Sequence, residues 1–204
     1  MKVKDQGEQR NEKLPSFTFT SNLHLTLTAW LVIAAATIGL CYLTQTVAGW
    51  FGIELPDQAN IEIVKRYAGW NRTFLILCAQ ILVLMPALEE LIFRYCLFRL
   101  PIKVGRALRA RRNQNKAETA PLGDCGEAGV LALPLTAAGS SILFSAAHYL
   151  FQPWPDAAFI ALFFFGLAQC WLYKKTGHLW CSVLNHGLFN LTNLILLFIL
   201  PESA

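Results

Sequence analysis

The chain has 204 residues, of which 55% are hydrophobic and only 15% are charged, and its mean hydropathy is +0.43. Because a soluble globular domain carries about 25% charged residues, this composition excludes an ordinary soluble domain and favours an integral membrane protein. The formal net charge of +4 comes from basic residues grouped beside apolar stretches, so it does not indicate a protein that binds nucleic acid.

Five apolar stretches with few charged residues follow one another along the chain. A helix needs about 20 mostly apolar residues to cross the hydrocarbon core of a bilayer. We therefore predict an all-α fold, a polytopic transmembrane bundle of about five helices, in one domain at residues 15–201 behind a disordered cytoplasmic tail at residues 1–14. No cleavage site follows the first stretch, which we expect to remain as an anchor. The predicted helices are Leu23–Val47, Asn71–Leu97, Val130–Leu150, Ala157–Tyr173 and Cys181–Leu200.

Basic residues are divided unevenly among the connections. They are frequent before the first helix, between the second and third, and between the fourth and fifth, whereas the alternate connections hold only Lys65, Arg66 and Arg72. Because an excess of Lys and Arg marks the cytoplasmic side, we predict a cytoplasmic N-terminus and an external C-terminus. The longest connection is a basic insertion at residues 103–127. Its first part, Lys103–Lys116, is expected to form an amphipathic helix on anionic headgroups.

The second predicted helix carries Glu89, Glu90 and Arg94 within an apolar sequence. Charged groups at membrane depth cost at least about 2.5–3.5 kcal/mol each on translocon scales, so they persist where they are paired or used. Glu90 and Arg94 are four residues apart and can pair. Glu89 has no local partner and suits a general base. Pro86 frees a carbonyl group around Leu82 and favours a kink that admits water. Alternatively, the three charges only mark the end of the membrane segment.

The third and fifth predicted helices each carry a histidine. His148 follows Phe144 by one turn, and His186 shares a helix face with Asn190. Gly187, beside His186, allows another backbone to approach closely. Two polar groups one turn apart can donate hydrogen bonds to a developing oxyanion. The ordinary alternatives are a structural histidine and hydrogen bonds that only join helices.

Together these residues form three motifs on the second, third and fifth predicted helices, namely Glu-Glu-x-x-x-Arg at residues 89–94, Phe-x-x-x-His at residues 144–148 and His-x-x-x-Asn at residues 186–190. In this order the motifs resemble those of the CAAX-protease and bacteriocin-processing (CPBP) family, over about residues 75–197. The resemblance implies a glutamate-dependent intramembrane endopeptidase, for which we favour a mechanism without a metal or other cofactor.

The resemblance also implies a role for each motif residue. Glu89 and His148 would activate the water that attacks the scissile carbonyl, and His186 with Asn190 would stabilise the oxyanion. Burial strengthens such hydrogen bonds by excluding bulk water. Glu90 and Arg94 would support this geometry as an ion pair, and Glu90 is included among the catalytic residues. Phe144 is a further supporting residue.

The substrate implied by the resemblance is a membrane-tethered peptide. In a bacterium it would be a lipidated peptide, a bacteriocin leader or a hydrophobic sorting tail, and in a eukaryote a prenylated CAAX tail. We expect an integral protein of the bacterial cell membrane, whose partners are this substrate and the lipid bilayer.

Three alternatives remain open from the sequence. Glu89, His148 and His186 form the kind of set that binds catalytic zinc, although the chain has no His-Glu-x-x-His motif and its cysteines lack Cys-x-x-Cys spacing. The chain could also be a non-catalytic membrane protein that binds a bacteriocin and gives immunity. The third alternative is a small transporter or proton relay, because intramembrane Glu and His also mark ion paths.

The predicted topology contains one geometric conflict. Glu89 lies about 27 Å of helix rise from Asn71 and therefore near the cytoplasmic end of the second helix. His148 lies near the external end of the third helix. The two can meet only if the third helix starts later, near Leu135, or if one segment is re-entrant.

Overall fold

The computed structural model describes residues 18–55, 64–69, 71–116, 127–150 and 158–199, and these residues form helices and no strand. The predicted tail and the last part of the basic insertion, residues 117–126, lie outside the described residues. The all-α prediction is confirmed. Besides a helical turn at residues 64–67, the helices are α1 (Phe19–Trp50), α2 (residues 72–116), α3 (Glu127–His148), α4 (Ala158–Thr176) and α5 (Leu179–Ile199).

Polar side chains and a glycine set several helix ends. The Thr18 side chain accepts a hydrogen bond from the first turn of α1, and Asn71 Oδ1 accepts one of 2.9 Å from the Phe74 amide of α2. These caps satisfy amides that have no partner within the helix. Between α4 and α5 the chain turns at Gly177, whose φ of 72° is readily adopted only by glycine.

The second helix is continuous but not uniform. Arg72–Ala79, Met85–Glu90 and Leu100–Lys116 are α-helical, whereas Gln80–Leu84 and Leu91–Arg99 are π-helical. π-helical turns are rare and often occur at functional sites. Both π-helical pieces lie directly beside the α-helical piece that carries the two glutamates.

The predicted end of the second helix at Leu97 is too early, because α2 continues through the basic residues to Lys116. This part of the sequence is rich in Arg, Lys, Ala and Leu, which are strong helix formers. Residues 103–116 are therefore helical as predicted, but they extend the membrane helix rather than forming a separate one.

The helices pack around a core in which aromatic side chains are prominent. α1 packs along α4 and α5, α3 packs against α2 and α4, and α5 closes against α2. α3 and α4 approach closely at Gly166, where an added Cβ would lie 2.9 Å from Ser141 Cβ. Buried members of the core include Ile33, Phe144, Phe165, Leu172 and Phe189.

The outer surface is apolar. Leu31, Val83 and Phe198 are each more than half exposed, which suits contact with acyl chains rather than water. In the part of the chain that the structure describes, three helices are long and apolar enough to cross a membrane. They are Phe19–Trp50, Arg72–Leu108 and Leu179–Ile199.

Candidate active site

The predicted ion pair forms inside the bundle. Arg94 Nε donates to Glu90 Oε2 at 3.1 Å, and neither side chain has any exposed surface. The guanidinium also lies over the Phe144 ring, 4.7 Å from its centroid. Because α2 runs on from Arg94 to Lys116, these charges do not mark the end of the helix.

Ser140 of α3 also contacts the ion pair. Its hydroxyl donates to the Phe93 carbonyl at 2.6 Å and accepts a hydrogen bond of 3.4 Å from Arg94 Nη1. The sequence analysis missed this residue. The available signal was a hydroxyl group in an apolar helix, two turns before His148.

His186 lies between the two glutamates. Its Nδ1 is 3.0 Å from Glu90 Oε1, and its Nε2 is 3.6 Å from Glu89 Oε2. Because the Glu90 carboxylate is already bonded to Arg94, it acts as an acceptor, and His186 Nδ1 donates to it. Glu89, which has no partner on its own helix, thus has one on α5. Its side chain is 20% exposed, against 5% for His186.

Two aromatic rings enclose the imidazole of His186. The Phe144 centroid lies 5.9 Å from that of His186, and the Phe165 centroid lies 5.0 Å away, both in edge-to-face geometry. These rings keep the histidine in one orientation and exclude water from its faces. Phe144 therefore contacts both Arg94 and His186. Through these contacts it can support the geometry of the site.

His148 approaches the same cluster from α3. Its ring lies 4.7 Å from that of Phe144, and its Nδ1 is 2.9 Å from the Phe144 carbonyl oxygen. A carbonyl oxygen only accepts, so Nδ1 donates this hydrogen bond and Nε2 is the ring nitrogen that remains for another partner. Within the described residues, His148 makes no ion pair with Glu89.

The register of α3 against α2 removes the geometric conflict. Ser140 bonds to the Phe93 carbonyl, and the Phe144 ring contacts the Phe93 ring at 5.3 Å. The two helices are antiparallel, so His148 lies level with the part of α2 that carries Glu89. α3 begins at Glu127 rather than near Leu135, and no re-entrant segment is required. The conflict came from equating helix ends with membrane surfaces.

α5 also binds the carbonyl groups that precede Pro86. Asn190 Nδ2 donates to the Ile81 carbonyl at 2.9 Å, and a Cβ added at Gly187 would lie 2.5 Å from the Leu82 oxygen. Proline has no N–H group to bond the carbonyls of the preceding turn. These groups are therefore available to α5. Asn190 therefore joins two helices by a hydrogen bond, as the alternative interpretation of this residue predicted. Its side-chain amide has a second N–H group that can donate to another acceptor.

Replacing Gly187 with alanine is expected to lower the free energy of unfolding by about 1–3 kcal/mol, because the new methyl group would force the backbones of α2 and α5 apart. Thermal unfolding of the purified protein in mild detergent measures this loss. The matched control is Gly39→Ala on α1, where an added Cβ meets nothing within 4 Å. Equal melting temperatures for the two variants would show that the close approach does not matter for stability.

The zinc alternative requires Glu89, His148 and His186 to converge on one ion. Among the residues with described structure, no group of three His, Cys, Asp or Glu side chains is placed to hold a metal ion. Both ring nitrogens of His186 already face carboxylates. The alternative set of Glu89, His148 and His186 is therefore not assembled as a ligand set in this structure.

Fold and site together define an integral membrane protein with a buried cluster of acid, guanidinium and imidazole groups. A family model of the Rce1-like type II CAAX prenyl endopeptidases matches residues 71–192, more than half of the chain, and the chain belongs to this family. The chain is therefore a protease of the CAAX type, as the resemblance implied. No curated protein and no solved structure matches it. The matched residues include all three motifs and exclude α1.

Proposed function

We propose that this protein is a glutamate-dependent intramembrane endopeptidase that hydrolyses one peptide bond of a membrane-tethered peptide. The observation that carries the proposal is the placement of His186 between Glu89 and Glu90, with Arg94 behind Glu90. Three of these four side chains are buried, whereas Glu89 retains exposed surface through which water and substrate can reach it.

The placement of Glu89 and His186 suits the transfer of a proton. Glu89 Oε2 faces Nε2 of His186 at 3.6 Å, at the accessible edge of the site. A carboxylate and an imidazole so placed are the side chains that general acid–base catalysis most often uses.

In the proposed reaction, a water molecule sits between the Glu89 carboxylate and Nε2 of His148. Glu89 takes a proton as the water oxygen bonds to the scissile carbonyl carbon. The resulting oxyanion accepts hydrogen bonds from His186 and from the second N–H of Asn190. The C–N bond then breaks, and Glu89 passes the proton to the leaving amine, so the site returns to its starting state.

The substrate class follows from the family and from the position of the site. A protease whose catalytic groups lie inside a membrane bundle acts on a peptide held at that membrane. We propose a peptide with a lipidated, prenylated or hydrophobic terminal segment, cut near a leader or the C-terminus. We also propose that the N-terminus is cytoplasmic, since basic residues flank alternate helices, and that the host membrane is a bacterial cell membrane.

The direct test uses the full chain reconstituted in liposomes. Synthetic tail peptides with a prenylated cysteine, and leader peptides with a hydrophobic anchor, are added and their products are identified by mass spectrometry. We expect cleavage of an anchored peptide and no cleavage of the same sequence without its anchor. Equal cleavage of both forms would contradict the proposed substrate class. Cleavage of neither, together with an immunity or transport phenotype that survives Glu89→Gln, would favour a non-catalytic protein or a transporter.

We further propose that the reaction needs no metal. Incubation with a chelator such as 1,10-phenanthroline, followed by its removal, is expected to leave the cleavage rate unchanged, because the acid–base pair of Glu89 and His186 replaces the metal-bound water of zinc peptidases. The rate is measured again after zinc is added back. A loss that zinc restores would instead support the zinc site at Glu89, His148 and His186.

A further inference from the structure

A second buried polar cluster lies outside the active site, where α1, α4 and α5 meet. We call it the polar junction. Each of its side chains is at most 2% exposed, although the neighbouring core is apolar. Its members are Asn22 and Thr26 of α1, Gln169 of α4, and Ser182 and Asn185 of α5.

Hydrogen bonds fix the orientation of the Gln169 and Asn185 amides in the polar junction. Gln169 Nε2 donates to Asn185 Oδ1 at 2.8 Å, and Asn185 Nδ2 donates to the Thr26 carbonyl at 3.1 Å. Thr26 Oγ1 donates to the Asn22 carbonyl at 2.7 Å. Rotating either the Gln169 or the Asn185 amide would place like groups against each other, so the oxygen of Gln169 must face away from Asn185.

Three polar atoms of the polar junction have no hydrogen-bond partner among the residues that the structure describes. They are Asn22 Oδ1, Gln169 Oε1 and Ser182 Oγ. A buried polar group without a partner is strongly unfavourable, and native structures satisfy such groups with protein or with ordered water.

The helix register brings Asn22 and Ser182 to the same level. α1 and α5 are parallel, since Phe19 stacks on Trp180 at 5.3 Å between ring centroids and Trp30 Nε1 donates to Thr192 at 3.1 Å. Asn22 is one turn before Thr26, and Ser182 is about one turn before Asn185. Because Asn185 bonds to Thr26, Asn22 and Ser182 lie one turn from the hydrogen bond that Gln169 makes to Asn185.

We propose that the polar junction binds a buried water molecule. The two amide oxygens need donors and the Ser182 hydroxyl needs an acceptor, and one water supplies two donors and an acceptor. A bound cation would satisfy the oxygens but give the hydroxyl proton no acceptor. None of the members of the polar junction is a carboxylate that could neutralise a cation.

The bound water gives α1 a part in catalysis, an inference that rests on the proposed function. Ser182 and Asn185 lie within one turn of His186 on α5, and the water ties that turn to Asn22 and Gln169. These four are positioning residues that hold His186 at the correct distance from Glu89. α1 lies outside the family match at residues 71–192, whereas Gln169, Ser182 and Asn185 lie inside it.

Water contact can be tested without any activity assay. In the full chain in bilayers, solid-state NMR detects transfer of magnetisation from water to the labelled side-chain amide of Gln169. We expect transfer in the wild type and its loss in Ser182→Ala and Asn22→Leu. The matched control is Asn193→Leu, which removes an exposed amide from α5 and should leave the transfer unchanged. Absence of transfer in the wild type would overturn the proposal.

A cation in place of water is the competing outcome. Replacing sodium chloride with choline chloride at equal ionic strength should leave the melting temperature of the wild type unchanged, because water does not depend on the salt. A melting temperature that rises with sodium and loses this dependence in Ser182→Ala would show a cation site and overturn the assignment of water.

The positioning role has a kinetic test. Ser182→Ala is expected to lower kcat by roughly 10- to 100-fold with little change in KM, because a small displacement of His186 affects the reaction rather than binding. Ser182→Thr keeps the hydroxyl and should restore most of the rate. Equal kcat values for Ser182→Ala and the wild type would reject the positioning role. A wild type that cleaves no peptide rejects the proposed function instead, and the NMR result on water still stands.

Discussion

Replacing Glu89 with glutamine is expected to abolish peptide cleavage, with kcat reduced roughly 100- to 10,000-fold, the range typical for loss of general acid–base catalysis. Glutamine has nearly the same shape as glutamate but cannot accept a proton from water. It can still bond to Nε2 of His186, so the site should stay assembled. Single-turnover cleavage of an anchored peptide in liposomes measures the rate of the chemical step.

The matched control for this prediction is Glu54→Gln, which removes an exposed carboxylate far from the motifs along the chain. It should cleave at the wild-type rate. The melting temperature of Glu89→Gln should stay close to that of the wild type, because Glu89 is not fully buried. Cleavage by a well-folded Glu89→Gln protein at more than a tenth of the wild-type rate would rule out Glu89 as the base.

Replacing Arg94 with methionine is expected to lower the free energy of unfolding by about 3–5 kcal/mol, because it leaves the buried carboxylate of Glu90 without its cation. For a chain of this size the melting temperature should fall by roughly 10 °C. Arg106→Met removes an exposed cation from the same helix and should have almost no effect. Thermal unfolding of both variants in the same detergent gives the comparison.

The double variant Glu90→Gln with Arg94→Met separates stability from catalysis. Removing both charges should recover part of the stability lost in Arg94→Met. Cleavage should remain impaired, since His186 Nδ1 loses the carboxylate that orients it. A double variant as unstable as Arg94→Met alone would show that packing against Phe144, rather than charge, explains the loss.

Periodicity and apolar stretches predicted the helices well because membrane segments obey a local rule. Each must satisfy its own backbone within the helix and present apolar side chains to lipid. The pairing of Glu90 with Arg94 was also predictable, since residues four apart on a helix are neighbours whatever surrounds them. The continuation of α2 to Lys116 was missed because charge was taken as the end of a helix, although basic residues are good helix formers.

The contacts between helices lay beyond the sequence. His186 contacts both Glu89 and Glu90, and 96 positions of sequence separate it from Glu90. No local sequence pattern predicts a contact between residues so far apart in the chain. Ser140 and Phe165 join the site only because α3 and α4 place them there. The meeting of His148 with this cluster was thought to require an irregular helix, because depth was judged from helix ends instead of from helix register.

By itself, the sequence determined the class of protein, the helices and the three motifs, since composition and short-range spacing govern these properties. The tertiary structure alone decided which carboxylate faces which nitrogen, which atoms α5 bonds near Pro86, and that α1 shares a buried polar junction with α5. Those features depend on the register and separation of packed helices. Close packing sets both through the summed contacts of distant residues.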